Sequence, residues 1–205
     1  MPFIDGMLVQ SSGSRLHVVS IMEALAKQFP YTIWKIGGMV PRTTRTGGYS
    51  AHSTGRAIDI YLDAGDPLDR NLGDLLFAMF HRNATALKVD HEIWNSRIWS
   101  QSEGGPRAYA GGNGPHTNHI HVAFLNEPLT ARSTQIVGLC KQVHDQSSSG
   151  VGGDRAAGVE GKAFDPRRPN VRLTRYQRYK IKLENMGMEA TALSRKEFRA
   201  TQRAP

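Results

Sequence analysis

Two short stretches constrain this chain more than any others, because each alternates with a period of two and keeps its chemically active side chains on one face. Ala57-Ile58-Asp59-Ile60-Tyr61-Leu62 is β-branched and alternating, so it reads as a strand. Asp59 then shares a face with Ala57 and Tyr61, opposite Ile58, Ile60 and Leu62. Asn118-His119-Ile120-His121-Val122-Ala123-Phe124 has the same period, with His119 and His121 on one face and Ile120 and Val122 on the other. His52 precedes Asp59 across a turn containing Ser53, Thr54 and Gly55, and a Gly-containing turn can bring the chain back on itself. If the two stretches meet, a His, a carboxylate and a second His converge, with His116 and His119 close by. That is the ligand set of an open zinc site, with three protein ligands and a fourth position for water.

Ser50, His52, Gly55, Ala57 and Asp59 match the pattern SxHxxGxAxD at every specified position. With the later HxH, the pattern resembles the signature of the zinc peptidases that group D-Ala-D-Ala metallopeptidases with lysostaphin-type enzymes and the hedgehog fold. His116, His119 and His121, in HxxHxH spacing, resemble the arrangement in zinc D-Ala-D-Ala carboxypeptidases and penicillin-insensitive murein endopeptidases. The segment 47–124 also resembles the catalytic domain of a bacterial and phage subgroup of that group, through Gly-Gly-Tyr and His-x-x-Gly-Arg-Ala-x-Asp, then Ile93 to Trp99, then Asn118 to Val122. The resemblance covers roughly the first 125 residues. It implies that His52, Asp59 and His121 hold Zn2+, that His119 stands beside the metal water, and that His116 is a further active-site His. Many relatives carry a Glu before the last His as general base. Here no acidic residue lies between Glu103 and Glu127, and Glu92 is the acidic candidate next to the Ile-Trp segment.

Cations beside a metal cleft suit a substrate carboxylate or phosphate. Arg45 lies in the polar loop 39–49, and Arg56 and Ser50 lie inside the first motif, so all three are candidate substrate contacts. Trp94 is a candidate cleft wall for an extended ligand, with core packing as the alternative.

The rest of the chain reads as one domain and an appendage. Helical spacing covers 14–29, with Ser14 as a candidate cap, and 71–87, where Leu72, Leu75, Leu76, Met79 and Phe80 share a side. A third helix is expected at 129–146. Strands are expected at 31–36 and within 89–99. Asp63, Asp66 and Asp69 lack EF-hand spacing and read as a helix-entry loop. The lone Cys140 excludes an internal disulfide and sits in an apolar helical pattern, which predicts a buried, inert thiol. Ser147 to Gly153 has linker composition, giving a catalytic domain at 1–146, a linker at 147–153 and an extension at 154–205. Residues 1–150 carry 13 Lys+Arg against 12 Asp+Glu, whereas 151–205 carry 13 against 6, so the positive charge belongs to the extension. All eight His precede it. The expected fold is α+β: a small antiparallel sheet carrying the metal site, packed by helices, with a basic, mostly helical C-terminal extension.

These observations favour a zinc-dependent hydrolase, and the resemblance supplies its substrate, the cross-link or stem peptides of bacterial peptidoglycan. A metal-dependent nuclease or phosphoesterase is the second reading, because a basic tail suits phosphodiesters, although the catalytic half is near neutral. A non-catalytic zinc module that recognises a partner is the third. The extension is expected to meet an anionic polymer, a membrane surface, nucleic acid or a partner protein. No run is long enough to span a membrane, and Met1 to Val19 lacks the basic start and apolar core of a signal peptide. The expectation is therefore synthesis in the cytoplasm and action in the periplasm or wall after release or injection. A phage lysis enzyme does this through a holin. A secreted antibacterial effector does it through secretion machinery and is countered by an immunity protein.

Overall fold

The structure is a computed structural model that describes residues 3–149 apart from 5, 6, 31, 34, 42, 44–46, 112 and 113. The expected basic extension, and the expected linker from Gly150 onward, lie outside the described residues.

The chain folds as α+β. Its strands are β1 (Phe3–Ile4), β2 (Met7–Gln10), β3 (Lys35–Gly37), β4 (Ala57–Tyr61), β5 (Val89–Trp94), β6 (Arg97–Ser100), β7 (Arg107–Ala108) and β8 (His119–Phe124). They form a single eight-stranded sheet in the order β1-β2-β3-β4-β8-β5-β6-β7. The sheet is larger than the sequence suggested, and it is mostly antiparallel, with β2 and β3 running parallel. The two motif strands meet at its centre. In the β4–β8 ladder Asp59 stands opposite His121 and Tyr61 opposite His119. In that register both strands put their apolar residues on the same side, and a slip of one residue would turn one set away.

On that side Ile58, Ile60, Ile120 and Val122 are fully buried. They are covered by α1 (Leu16–Gln28), α2 (Pro67–Arg82) and α4 (Ser133–Ser149), which supply Met22, Leu25, Leu72, Leu76, Phe80 and Cys140 to one core. Burying each large aliphatic or aromatic side chain there stabilises the fold by about 1.5–3 kcal/mol relative to exposure. The Cys140 thiol is buried as expected, and burial pushes its pKa up to about 12. A short helix, α3 (Ala84–Leu87), leads into β5.

The helix ends follow capping chemistry. Asp66 caps α2, accepting hydrogen bonds from the backbone N–H of Leu68 and Asp69, and Pro67 fills the first turn where no N–H is needed. The three aspartates thus build a helix entry, with Asp69 accepting from the Asp63 N–H as well. Ser14 does not cap α1. Arg15 occupies that position without a side-chain hydrogen bond, and the Ser14 hydroxyl is buried against Gly38 instead. The 71–87 helix begins four residues early, at Pro67, and breaks at Asn83, whose side-chain amide donates to the Met79 carbonyl. The strand within 89–99 is a hairpin, turned by Asn95 and Ser96, both at positive φ. Two central residues with φ above zero make the tight turn whose twist suits a two-residue hairpin. α4 runs through Ser149, so the first three residues of the expected linker are helical.

Candidate metal centre

The site lies on the sheet face opposite the helical core. His52, on the turn before β4, is 1% exposed. Its Nδ1–H donates to the Gly38 carbonyl at 2.7 Å, so in the neutral ring the lone pair belongs to Nε2. That Nε2 is 3.2 Å from Asp59 Oδ1 and 3.1 Å from His121 Nδ1, and His121 Nδ1 is 3.1 Å from Asp59 Oδ1. The three atoms form a nearly equilateral triangle. An ion at about 2.0–2.1 Å from each would see angles near ~100°, close to tetrahedral, with its fourth direction pointing away from the triangle.

The chemistry of the donor set fits a cation as well. With the His52 proton committed to Gly38, His52 Nε2 and Asp59 Oδ1 are two acceptors facing one another, and only His121 Nδ1 can bring a proton between them. Burial pushes the His121 imidazole down to about 4, against the pull of Asp59. Burial also pushes the Asp59 carboxyl up, but the hydrogen bond from His121 and the proximity of the His52 ring outweigh it and hold the carboxyl far below the usual carboxylate range. At neutral pH Asp59 is therefore a carboxylate and His121 a neutral imidazole, the states that metal binding requires. His52, Asp59 and His121 can hold a metal ion.

Local sequence explains why the ligands arrive together. Ser50 Oγ accepts the Ser53 N–H, and Thr54 Oγ1 donates to the Ala51 carbonyl, closing the turn that carries His52. Gly55 ends that turn at φ +69°, where a Cβ would lie 2.3 Å from the Gly13 carbonyl oxygen. Only glycine fits both the conformation and the contact. Ser50 thus shapes the His52 turn, and that is where its hydroxyl is engaged.

His119 and His116 stand beside the triad. His119 Nε2 is 3.7 Å from Asp59 Oδ1, and its Nδ1–H donates to Asn118 Oδ1 at 2.7 Å. The His116 ring lies 4.8 Å from that of His119 and 6.1 Å from that of His121, centre to centre. His116 is held at φ +49°, a left-handed conformation that costs a non-glycine residue of order 1–3 kcal/mol. The β5–β6 turn restrains it: the Asn95 N–H donates to the His116 carbonyl at 3.0 Å and the Ser96 N–H to the Pro115 carbonyl at 2.7 Å.

The other expected site residues are placed elsewhere. Glu92 is 0% exposed and on the core side of the sheet, opposite Val122 in the register. Its Oε1 is 2.9 Å from His81 Nδ1 on α2, and burial pushes its pKa well up, so it is not the base of this site. Trp94 shares that face. It is 0% exposed, its ring packs against Gly73, and its indole N–H donates to Asp74 Oδ1, so it is core rather than cleft wall. Arg56 also turns from the triad: its guanidinium donates to the Phe124 carbonyl and Thr54 Oγ1. Arg45 lies outside the described residues. Sequence reasoning missed His91, which shares the site face with Ile93. Its ring lies 5.5 Å from that of His121, and its Nδ1–H donates to Asp90 Oδ2.

Residues 10–120 match the family described as VldE, C-terminal domain. The chain belongs to this family. The matched segment contains His52, Asp59, His116 and His119 and stops one residue before His121, so the VldE C-terminal domain signature takes in β3, β4 and the start of β8. No curated protein matches the chain, and no solved structure does.

Proposed function

We propose that this VldE C-terminal domain protein is a zinc-dependent hydrolase that cleaves peptide bonds in bacterial peptidoglycan. The observation that carries the proposal is the triangle of ligand atoms 3.1–3.2 Å apart with His119 at its edge. Two imidazoles and one carboxylate are a ligand set that catalytic zinc sites use. Bound there, the ion would supply Lewis-acid polarisation of a carbonyl and would acidify water, from a pKa of about 15.7 toward 7.

The side chains divide the remaining work. His52 and Asp59 are oriented by the Gly38 carbonyl and the β4–β8 ladder, so the ligand geometry is set before substrate arrives. His119 is the general base. Its Nδ1–H is committed to Asn118, which leaves the basic nitrogen, Nε2, toward the triad. It takes a proton from the water that adds to the carbonyl carbon and returns it to the amine nitrogen as the C–N bond breaks. His116, fixed by the hairpin turn, lines the same edge; its Nδ1–H is committed to the Gly114 carbonyl, which leaves Nε2 as a second basic nitrogen able to relay the proton. The peptidoglycan substrate, the place of action in periplasm or wall, and a role in phage lysis or as an injected effector rest on the resemblance of the two motifs.

The test is incubation of purified peptidoglycan sacculi with zinc-loaded protein and with His121→Ala, followed by mass spectrometry of the soluble products. New peptide termini from the wild type alone support the proposal. Intact sacculi with zinc bound would refute it.

A further inference from the structure

The described cations around the site are mostly committed. Arg56 donates to Phe124 and Thr54, Arg15 to the Thr54 carbonyl, and Arg107 and Arg97 pair with Glu103 and Asp74. Lys35 differs. Gly37 stands opposite Asp59 in the β3–β4 ladder, so Lys35, two residues earlier, falls on the site face beside Tyr61. Its Nζ sits 4.8 Å above the centre of the Tyr61 ring. Tyr61 in turn lies 5.6 Å from the His119 ring, and His119 Nε2 is 3.7 Å from Asp59 Oδ1. The ammonium is thus held over Tyr61, from the strand next to that of Asp59 and on the same face as the ligand triad. Among the described residues no hydrogen bond or ion pair engages it. A contact with an aromatic face uses none of its three N–H donors, so the charge is positioned but still able to bind.

We propose that Lys35 binds the C-terminal carboxylate of the substrate, so that the bond cut is the last peptide bond of a peptide chain. This rests on the hydrolase reading and narrows it to a carboxypeptidase. In a C-terminal dipeptide the terminal carboxyl carbon lies about 3–4 Å from the scissile carbonyl carbon, set by the intervening C–N, N–Cα and Cα–C bonds. With the scissile carbonyl at the triad and the peptide running toward Tyr61, the carboxylate would enter the side of the cleft on which Lys35 lies. The carboxylate-binding role that the sequence suggested for Arg56 falls to Lys35, because the Arg56 guanidinium is directed at backbone.

The test compares N-acetyl-alanyl-alanine, in its D,D and L,L forms, with the corresponding C-terminal amides on zinc-loaded protein. Binding is read by calorimetry and cleavage by release of the terminal residue. Lys35→Met should weaken binding of one acid form by roughly 10–100-fold, the scale of a lost charge-assisted hydrogen bond, and leave its amide unchanged. Lys35→Arg should restore the acid, and zinc content and Tm should match the wild type in both variants. Equal binding of acid and amide by the wild type, or equal loss of both in Lys35→Met, overturns the assignment. Cleavage without acid preference leaves the hydrolase reading intact while removing this one. Lys35-dependent binding without cleavage of peptides or sacculi leaves the carboxylate contact of Lys35 standing but removes the hydrolase reading, and with it the assignment of the bond cut.

Discussion

Replacing Gly38 by Ala tests whether the backbone that holds His52 is part of the metal site. A Cβ at Gly38 would lie 2.4 Å from both the Gln10 carbonyl oxygen and Ser14 Oγ, and 3.4 Å from Met22 Cε. Contacts near 2.4 Å cannot stand, and one of the two partners is backbone, so the end of β3 has to move. The Gly38 φ is not in the left-handed region, so the perturbation is steric alone. Overpacking of this kind costs about 1–3 kcal/mol of stability. The movement carries with it the carbonyl that receives the His52 Nδ1–H at 2.7 Å. Without that acceptor His52 loses both its ring orientation and the preference that keeps Nε2 unprotonated. Losing such an outer partner typically lowers metal affinity by about 10–100-fold. The assay is zinc competition against a chromophoric chelator, with thermal unfolding measured in parallel. Gly37→Ala is the control, because its Cβ would meet nothing closer than 3.5 Å. A Gly38→Ala protein that melts earlier but binds zinc as tightly as the wild type would refute the idea that this carbonyl orients His52.

Two further predictions concern the core side of the sheet. Glu92 keeps its proton in the folded state at pH values where the unfolded chain, with a pKa near 4.5, has lost it. Its contribution to stability is therefore fully present below that value and is lost as pH rises toward the folded pKa. Glu92→Gln keeps an acceptor for His81 and removes the titration. Its stability relative to wild type should grow with pH above 4.5 in chemical denaturation, while zinc affinity stays unchanged. Gly73→Ala should destabilise despite a helix-propensity gain of about 1 kcal/mol, because its Cβ would lie 2.3 Å from the buried Trp94 ring; a raised Tm would contradict this.

The metal ligands were legible because β4 and β8 obey a simple rule. Each strand is half-buried, so polar and apolar residues alternate, and a slip of one residue would turn one apolar face away from the helices. Asp59 and His121 therefore share the face opposite the core. β5 breaks the rule: Glu92, the acidic candidate, lies on its core face, and so does Trp94, for which core packing is the alternative reading. Carboxylates are almost never fully buried without a partner. The partner that admits Glu92 to the core is His81, which lies on α2 and is brought near only by the packing of that helix. A register irregularity between Val89 and His91 further obscures the period. Once Glu92 and Trp94 face the core, His91 and Ile93 have to face the site, which is where His91 is found. Lys35 was hidden for a related reason. β3 is three residues long, too short to show a period, and its side follows only from the pairing of Gly37 with Asp59. Side chains whose face is set by long-range pairing could not be assigned from local pattern. Those on strands with an unbroken period of two could.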